Sequence, residues 1–129
     1  MIDMAWIYYN PNKHRDDAGD CTIRAITLAL GVNWQEAYDE LSAFGKLMWE
    51  MPSANLTWGE FLQSKGFEVI KIPNECPLCY TIKDFCRDNP KGLYVLGTGS
   101  HVVTVIDGDY YDTWDSGNKI PIYCFYRRR

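Results

Sequence analysis

The stretch that most constrains the fold is residues 21–30, Cys-Thr-Ile-Arg-Ala-Ile-Thr-Leu-Ala-Leu, which follow a polar loop. Residues 10–20 of that loop show no hydrophobic period and are rich in turn-forming side chains. Asp20 stands where an N-cap is preferred, and Gly31 stands where a helix commonly ends. Because the run is apolar around most of its circumference, it predicts a central buried helix.

Cys21 falls in the first turn of this predicted helix. The backbone N–H groups at a helix N-terminus carry a partial positive charge, which favours a thiolate over a thiol. The position therefore indicates a reactive cysteine. The alternative is a structural cysteine, since free cysteines are among the most buried residues of proteins.

The rest of the chain reads as helices first and strands afterwards, which is typical of an α+β fold. Its 129 residues, 47% of them hydrophobic, suit a single domain spanning residues 1–129. We expect a central N-terminal helix packed on a C-terminal antiparallel sheet. Capping-box signals at Asn33/Glu36 and Thr57/Glu60 predict two further helices, and residues 81–87 a fourth. Strands are predicted at residues 5–9, 67–72, 92–96, 101–106, 109–114 and 120–126.

Two of these strands are joined by Asp107-Gly108, a strong signal for a two-residue hairpin turn. In the resulting ladder His101 lies opposite Trp114, and Asp112 lies on the same face as His101, diagonal to it. Asp115 falls at the strand end, where a bend can turn its carboxylate toward the same imidazole. A helix-start cysteine, a histidine and an adjoining carboxylate together make a Cys-His nucleophile whose third group orients the imidazole.

This order resembles the papain-like cysteine peptidase superfamily, with the histidine at position 101 and the cysteine at position 21. The similarity is to its small phage and bacterial members, whose layout is like that of the bacteriocin-processing peptidases. The segments that carry the resemblance are Gly19–Ala25, Gly99–Ile106 and Tyr111–Ser116.

Carried over residue by residue, the resemblance implies that Cys21 is the nucleophile and His101 the general base and acid. It makes Asp115 the first choice for the orienting residue, because Asp115-Ser116 matches the family's Asn or Asp before a small residue. The ladder argument alone favours Asp112, which is kept as second choice. The implied function is a hydrolase of peptide, isopeptide or amide bonds with a peptide or protein substrate and no metal or other cofactor.

The chain departs from the family pattern just before the cysteine. The family places a Gln or Asn five or six residues upstream as an oxyanion donor, where this chain has Arg15-Asp16-Asp17. Asn10, Asn12 and the backbone N–H of Cys21 are the candidate replacements. Loss of one oxyanion donor typically costs about 2.7–4 kcal/mol of transition-state stabilisation. Two alternatives therefore stand beside the hydrolase: a silent papain-like fold that binds a protein partner, and an acyltransferase with the same triad.

The remaining cysteines offer a competing site. Cys76-Pro77-Leu78-Cys79 has the spacing of a zinc or redox pair, and Cys86 and Cys124 would complete four thiolates. The second pair lacks this spacing, which favours unpaired loop thiols over zinc. No secretion signal is present, so we expect reduced thiols and a cytoplasmic setting.

Charge and hydropathy give no indication of a nucleic-acid or membrane partner. The net charge is −4, which gives no overall indication of nucleic-acid binding. The basic tail Arg127-Arg128-Arg129 reads as a solvated end. No apolar run approaches the length that a membrane span requires, so we expect no membrane association.

Overall fold

The computed structural model describes residues 6–73 and 79–127, which form an α+β fold of four helices and one six-stranded mixed sheet. Within these residues, no helix is both long enough and apolar enough to cross a membrane. In chain order the elements are β1 (Trp6–Tyr8), α1 (Cys21–Leu30), α2 (Trp34–Met48), α3 (Asn55–Ser64), β2 (Phe67–Lys71), α4 (Ile82–Asp88), β3 (Leu93–Gly97), β4 (Val102–Ile106), β5 (Asp109–Asp112) and β6 (Tyr123–Arg127).

The strands lie in the order β1-β5-β4-β3-β6-β2. The four strands after α4 pair antiparallel, as the sequence predicts, and β2 joins β6 antiparallel at one edge. At the other edge β1 pairs with β5 in parallel, so the prediction of a purely antiparallel, C-terminal sheet is wrong. The parallel pairing brings the end of β1 beside Asp112, because Tyr8 lies opposite it.

The hairpin predicted from Asp107-Gly108 is confirmed. Both residues have positive φ, 50° for Asp107 and 82° for Gly108, as a tight hairpin turn of this kind requires. The observed register pairs Ile106 with Asp109 and Thr104 with Tyr111. This is the register from which the ladder argument placed Asp112 diagonal to His101.

The sheet has a hydrophobic core on each face. The first core joins the inner sides of α1, α2 and α3 to one face of the sheet, and the second lies between α4 and the other. Most of the circumference of α1 is buried, which confirms the prediction of a central helix. Its fit on β4 includes a hydrogen bond of 2.9 Å from the Thr104 hydroxyl to the Ala25 carbonyl.

The capping signals were right for α2 and wrong for α3. Asn33 and Glu36 form the predicted capping box. Helix α3 instead begins at Asn55, and Thr57 lies inside it with its side chain fully buried. The reason is packing: Trp58, also buried, holds this turn against the sheet, where its ring lies 5.0 Å from that of Phe125.

The same contact makes Gly97 a sensitive position. A Cβ at Gly97 would lie 2.9 Å from Cη2 of the buried Trp58 ring, closer than real Cβ contacts allow. We expect Gly97→Ala to lower the free energy of unfolding by about 1–3 kcal/mol, the usual cost of overpacking a core. Urea denaturation measures it. Gly19→Ala is the control, since its Cβ meets no atom within 4 Å; an equal loss in both variants would contradict the packing argument.

Candidate active site

Cys21 is the first residue of α1, and its side chain is partly exposed at the helix N-terminus. The backbone N–H of Val102, the first residue of β4, acts on the Cys21 thiol as a hydrogen-bond donor that lowers its pKa. The His101 imidazole acts on the same thiol through hydrogen bonding and charge and also lowers its pKa. The thiol therefore lies at the N-terminus of α1 and near the start of β4.

His101 immediately precedes β4, and three contacts fix its position. Its backbone N–H donates to the Thr98 hydroxyl at 3.0 Å, and its ring lies 4.8 Å from the Trp114 ring. Its Nε2 lies 2.6 Å from Oδ2 of Asp112. Because Nε2 is engaged by the carboxylate, Nδ1 is the ring nitrogen available to the Cys21 thiol.

Asp112, the last residue of β5, is fully buried and accepts hydrogen bonds on both carboxylate oxygens. Oδ2 receives His101 and, at 2.6 Å, the Ser116 hydroxyl. Oδ1 receives the Arg24 guanidinium at 3.0 Å and the Thr113 backbone N–H at 2.8 Å. A carboxylate with this many donors is held in one orientation and kept ionised.

Asp115 does not orient His101, so the first choice drawn from the resemblance is wrong and the second choice, Asp112, makes the contact. The Asp115 carboxylate instead accepts hydrogen bonds from the Tyr110 hydroxyl and the Gly117 backbone N–H. The physical reason is the bend after β5, which turns Asp115 toward Tyr110 and Gly117, whereas Asp112 at the end of β5 lies beside the imidazole.

The contacts shift the pKa values of the cysteine and the histidine in opposite directions. Burial raises the pKa of the Cys21 thiol, but the hydrogen bond and charge of His101, with smaller effects from Val102 and Arg24, lower it overall. Burial likewise lowers the pKa of His101, but the hydrogen bonds and charges of Asp112 and Cys21 raise it to about 9. The two shifts favour a thiolate–imidazolium pair near neutral pH.

The pKa of Asp112 is lowered even though burial acts to raise it. The hydrogen bonds from His101 and Ser116 provide most of the opposing effect, and the charges of His101 and Arg24 add to it. Asp112 is therefore a carboxylate at neutral pH, where the raised pKa of His101 favours the imidazolium.

Sequence reasoning missed Arg24 as part of this site. It lies in α1 with its side chain only 6% exposed, and it bridges Asp112 to Asp20, whose Oδ1 is 2.7 Å from Nη1. The sequence does contain a signal for this ion pair. Arg24 is a charged residue in a helix of apolar or small residues, and it follows Asp20 by four positions.

Asp20 occupies the N-cap position of α1, but its side chain makes no capping hydrogen bond. Its carboxylate accepts instead from Arg24 and from the Trp34 indole N–H at 2.8 Å. Asn12 Nδ2 lies 3.4 Å from the same carboxylate. Asp20 thus ties the loop before the cysteine to both α1 and α2.

The two candidate oxyanion amides are used within the loop. Asn10 donates to the Arg15 carbonyl and accepts from the Asn12 backbone N–H. The Asn12 side-chain oxygen accepts from the backbone N–H groups of His14 and Arg15, while its amide nitrogen faces Asp20. Both side-chain amides therefore make their hydrogen bonds to other residues of the loop before the cysteine.

A cavity of about 210 Å³ opens beside the N-terminal turn of α1. It lies between α1 and α2, and its lining includes Gly19 and Asp20, the two residues directly before the cysteine. Buried Leu41 and the stacked rings of Trp34 and Tyr38 make much of the wall apolar.

Three of the four cysteines of the competing site lie in the described residues: Cys79, Cys86 and Cys124. Cys79 is in a disulfide, which contradicts the expectation of reduced loop thiols, and Cys76 lies outside the described residues. Cys86 and Cys124 are free but buried in the second core, where burial raises the pKa of each thiol to about 12. Within residues 6–73 and 79–127 no group of three or more His, Cys, Asp or Glu side chains is arranged to hold a metal ion.

Comparison of the chain with protein-family models, with curated proteins and with solved structures finds no match. The function must therefore be argued from the site itself.

The two aspartates give a matched test of the site. We expect Asp112→Asn to slow alkylation of Cys21 by iodoacetamide at neutral pH about tenfold or more, because His101 loses the carboxylate that stabilises its charge. Asp112→Asn should also cost about 3 kcal/mol of unfolding free energy, since it breaks a buried ion pair.

Asp115→Asn is the control and should leave the Cys21 alkylation rate unchanged. Mass spectrometry of the alkylated peptides measures the rate for each cysteine separately. A larger loss of reactivity in Asp115→Asn than in Asp112→Asn would contradict the assignment.

Proposed function

We propose that the protein is a cysteine-dependent hydrolase of peptide, isopeptide or related amide bonds, with a papain-like arrangement of its site. The observation that carries the proposal is the linked set of Cys21, His101 and Asp112. The pKa shift of each member favours the protonation state that thiol catalysis needs, because the pKa is lowered for Cys21, raised for His101 and lowered for Asp112.

The layout of the chain supports the same proposal. The cysteine starts a buried helix, the histidine precedes a central strand and the aspartate ends the neighbouring strand. A helix start, a strand start and a strand end are held by different parts of the core, so their relative positions are fixed by packing. Cys21 and His101 remain partly exposed, as a substrate requires.

In the proposed reaction the Cys21 thiolate attacks the substrate carbonyl carbon and forms a tetrahedral intermediate. His101 then donates its proton to the departing amine, which leaves an acyl-enzyme. His101, now neutral, takes a proton from water, and the hydroxide released in that step hydrolyses the thioester and regenerates the thiolate. Asp112 keeps its charge throughout, and its role is to orient the imidazole and stabilise the imidazolium.

The backbone N–H of Cys21 is the proposed oxyanion donor. The first N–H groups of a helix have no intrahelical partner, and they point along the positive end of the helix dipole. The cavity beside Asp20 is the proposed place for an apolar side chain of the substrate, since the residues before and after Cys21 line it and its walls are largely apolar.

The second candidate is a papain-like fold that binds a protein partner without catalysis. The observation that favours it is the use of the Asn10 and Asn12 amides within their own loop. An acyltransferase with the same three residues remains a variant of the first proposal, because the acyl-enzyme is common to both.

The test is cleavage of a complex peptide mixture in water enriched in heavy oxygen. We expect new peptide C-termini that carry the label, and loss of at least about 1000-fold in rate for Cys21→Ala and for His101→Ala. His14→Ala is the matched control, since His14 is exposed in the loop, and it should keep the wild-type rate.

The same assay with hydroxylamine separates the alternatives. Hydroxamate products would reveal the acyl-enzyme, and the absence of labelled acids when hydroxylamine is omitted would then indicate acyl transfer as the main reaction. Absence of cleavage and of any acyl-enzyme in the wild-type protein, over substrates rich in apolar residues, would contradict the enzyme proposal and favour the binding fold.

A further inference from the structure

Arg24 is a buried cation of α1 that lies between the N-terminus of this helix and the end of β5. Its Nη1 lies 2.7 Å from Oδ1 of Asp20, and its Nη2 lies 3.0 Å from Oδ1 of Asp112. The exposed fractions of the three side chains are 6%, 9% and 1% respectively. One guanidinium therefore joins the residue directly before the nucleophile to the carboxylate that holds the histidine.

Burial of these charges is tolerated only because they neutralise one another. Within residues 6–73 and 79–127, the titratable groups facing Arg24 and Asp112 are Cys21, Asp20 and His101. With a thiolate and an imidazolium, or with both groups neutral, the set of five carries one surplus negative charge. Without Arg24 the surplus would be two, and a buried carboxylate in such a site is driven to take up a proton.

We propose that Arg24 is a positioning residue of the active site that sustains the Cys21 thiolate through Asp112. Its guanidinium holds Oδ1 while His101 binds Oδ2, so the carboxylate presents one fixed oxygen to the imidazole. Arg24 does not touch the sulfur, but its positive charge also favours the thiolate. This inference rests on the proposed role of Cys21 as a nucleophile.

The geometry requires arginine rather than any cation. Two different nitrogens of one planar group reach two carboxylates on different elements, whereas an ammonium offers a single point of charge. Lysine in this place would keep the charge but would not hold both carboxylates in the same way.

The test is the pH dependence of Cys21 alkylation by iodoacetamide, followed peptide by peptide. We expect Arg24→Gln to raise the pH midpoint of Cys21 reactivity by at least about one unit, which is about a tenfold lower rate on the acid side. Arg24→Lys should show a midpoint between those of the wild type and Arg24→Gln.

Two controls separate this role from a merely structural one. Asp20→Asn also breaks the Arg24 ion pair and the Trp34 hydrogen bond, so it should lower thermal stability. It leaves the Arg24 charge on Asp112, so it should not raise the midpoint. Arg15→Gln removes an exposed positive charge from the same loop and should change neither quantity.

The proposal is overturned if Arg24→Gln or Arg24→Lys keeps the wild-type midpoint, or if Arg15→Gln shifts it as much as they do. If Arg24→Gln does not fold, the comparison of Arg24→Lys with Asp20→Asn still tests the proposal, because only Arg24→Lys should raise the pH midpoint. Failure of the proposed function would look different: Cys21 of the wild-type protein would then have the midpoint of an ordinary thiol.

Discussion

The buried carboxylate of Asp112 is the interaction on which the candidate site depends. It lies at the end of β5, away from water, and receives donors from α1, the start of β4 and the turn that follows β5. The segment of edge strand β1 also holds the backbone of Asp112 in place. The Trp6 indole N–H and the Tyr9 backbone N–H both donate to the backbone carbonyl of Asp112. An ionised group without these partners would be too costly to bury, so the fold and the site require each other.

This arrangement also explains how a small chain can make a reactive thiol. Burial alone would raise the pKa of Cys21. His101 reverses that effect because Asp112 sustains its charge, and Arg24 sustains the charge of Asp112 in turn. The chain of charges passes from solvent-accessible Cys21 into the interior, where each group has a partner of opposite sign. The contrast is with Cys86 and Cys124, which are buried without such a partner and have raised pKa values.

Much of this could be predicted from sequence because it follows from local rules. The bounds of α1 follow from its apolar run, and the β4–β5 register follows from a two-residue turn. From that register Asp112 could be predicted on the same side as His101, and the two side chains are in contact. The prediction that Asp115 orients His101 was wrong. It rested on the short match of Asp115-Ser116 to a family motif, whereas the alternation of side chains along the strand indicated Asp112.

The remaining features depend on contacts between segments far apart in sequence. The parallel pairing of β1 has no local signal, because it is set by residues more than a hundred positions away. Arg24 has a local partner in Asp20, but its partner 88 residues on could be found only from the fold. The start of α3 was missed for a similar reason: burial of Trp58 against Phe125 overrides the capping pattern at Thr57.

The most direct test of the central claim is a nitrogen NMR titration of the His101 imidazole in the wild-type protein and in Cys21→Ala. The chain has two histidines, so substitution of His14 assigns the signals. We expect His101 to keep its proton to a pH of about 9 in the wild type. In Cys21→Ala, where the thiolate is absent, we expect it to release the proton at a distinctly lower pH. Titration of His101 near its ordinary pKa of about 6.5 in both proteins would contradict the thiolate–imidazolium pair.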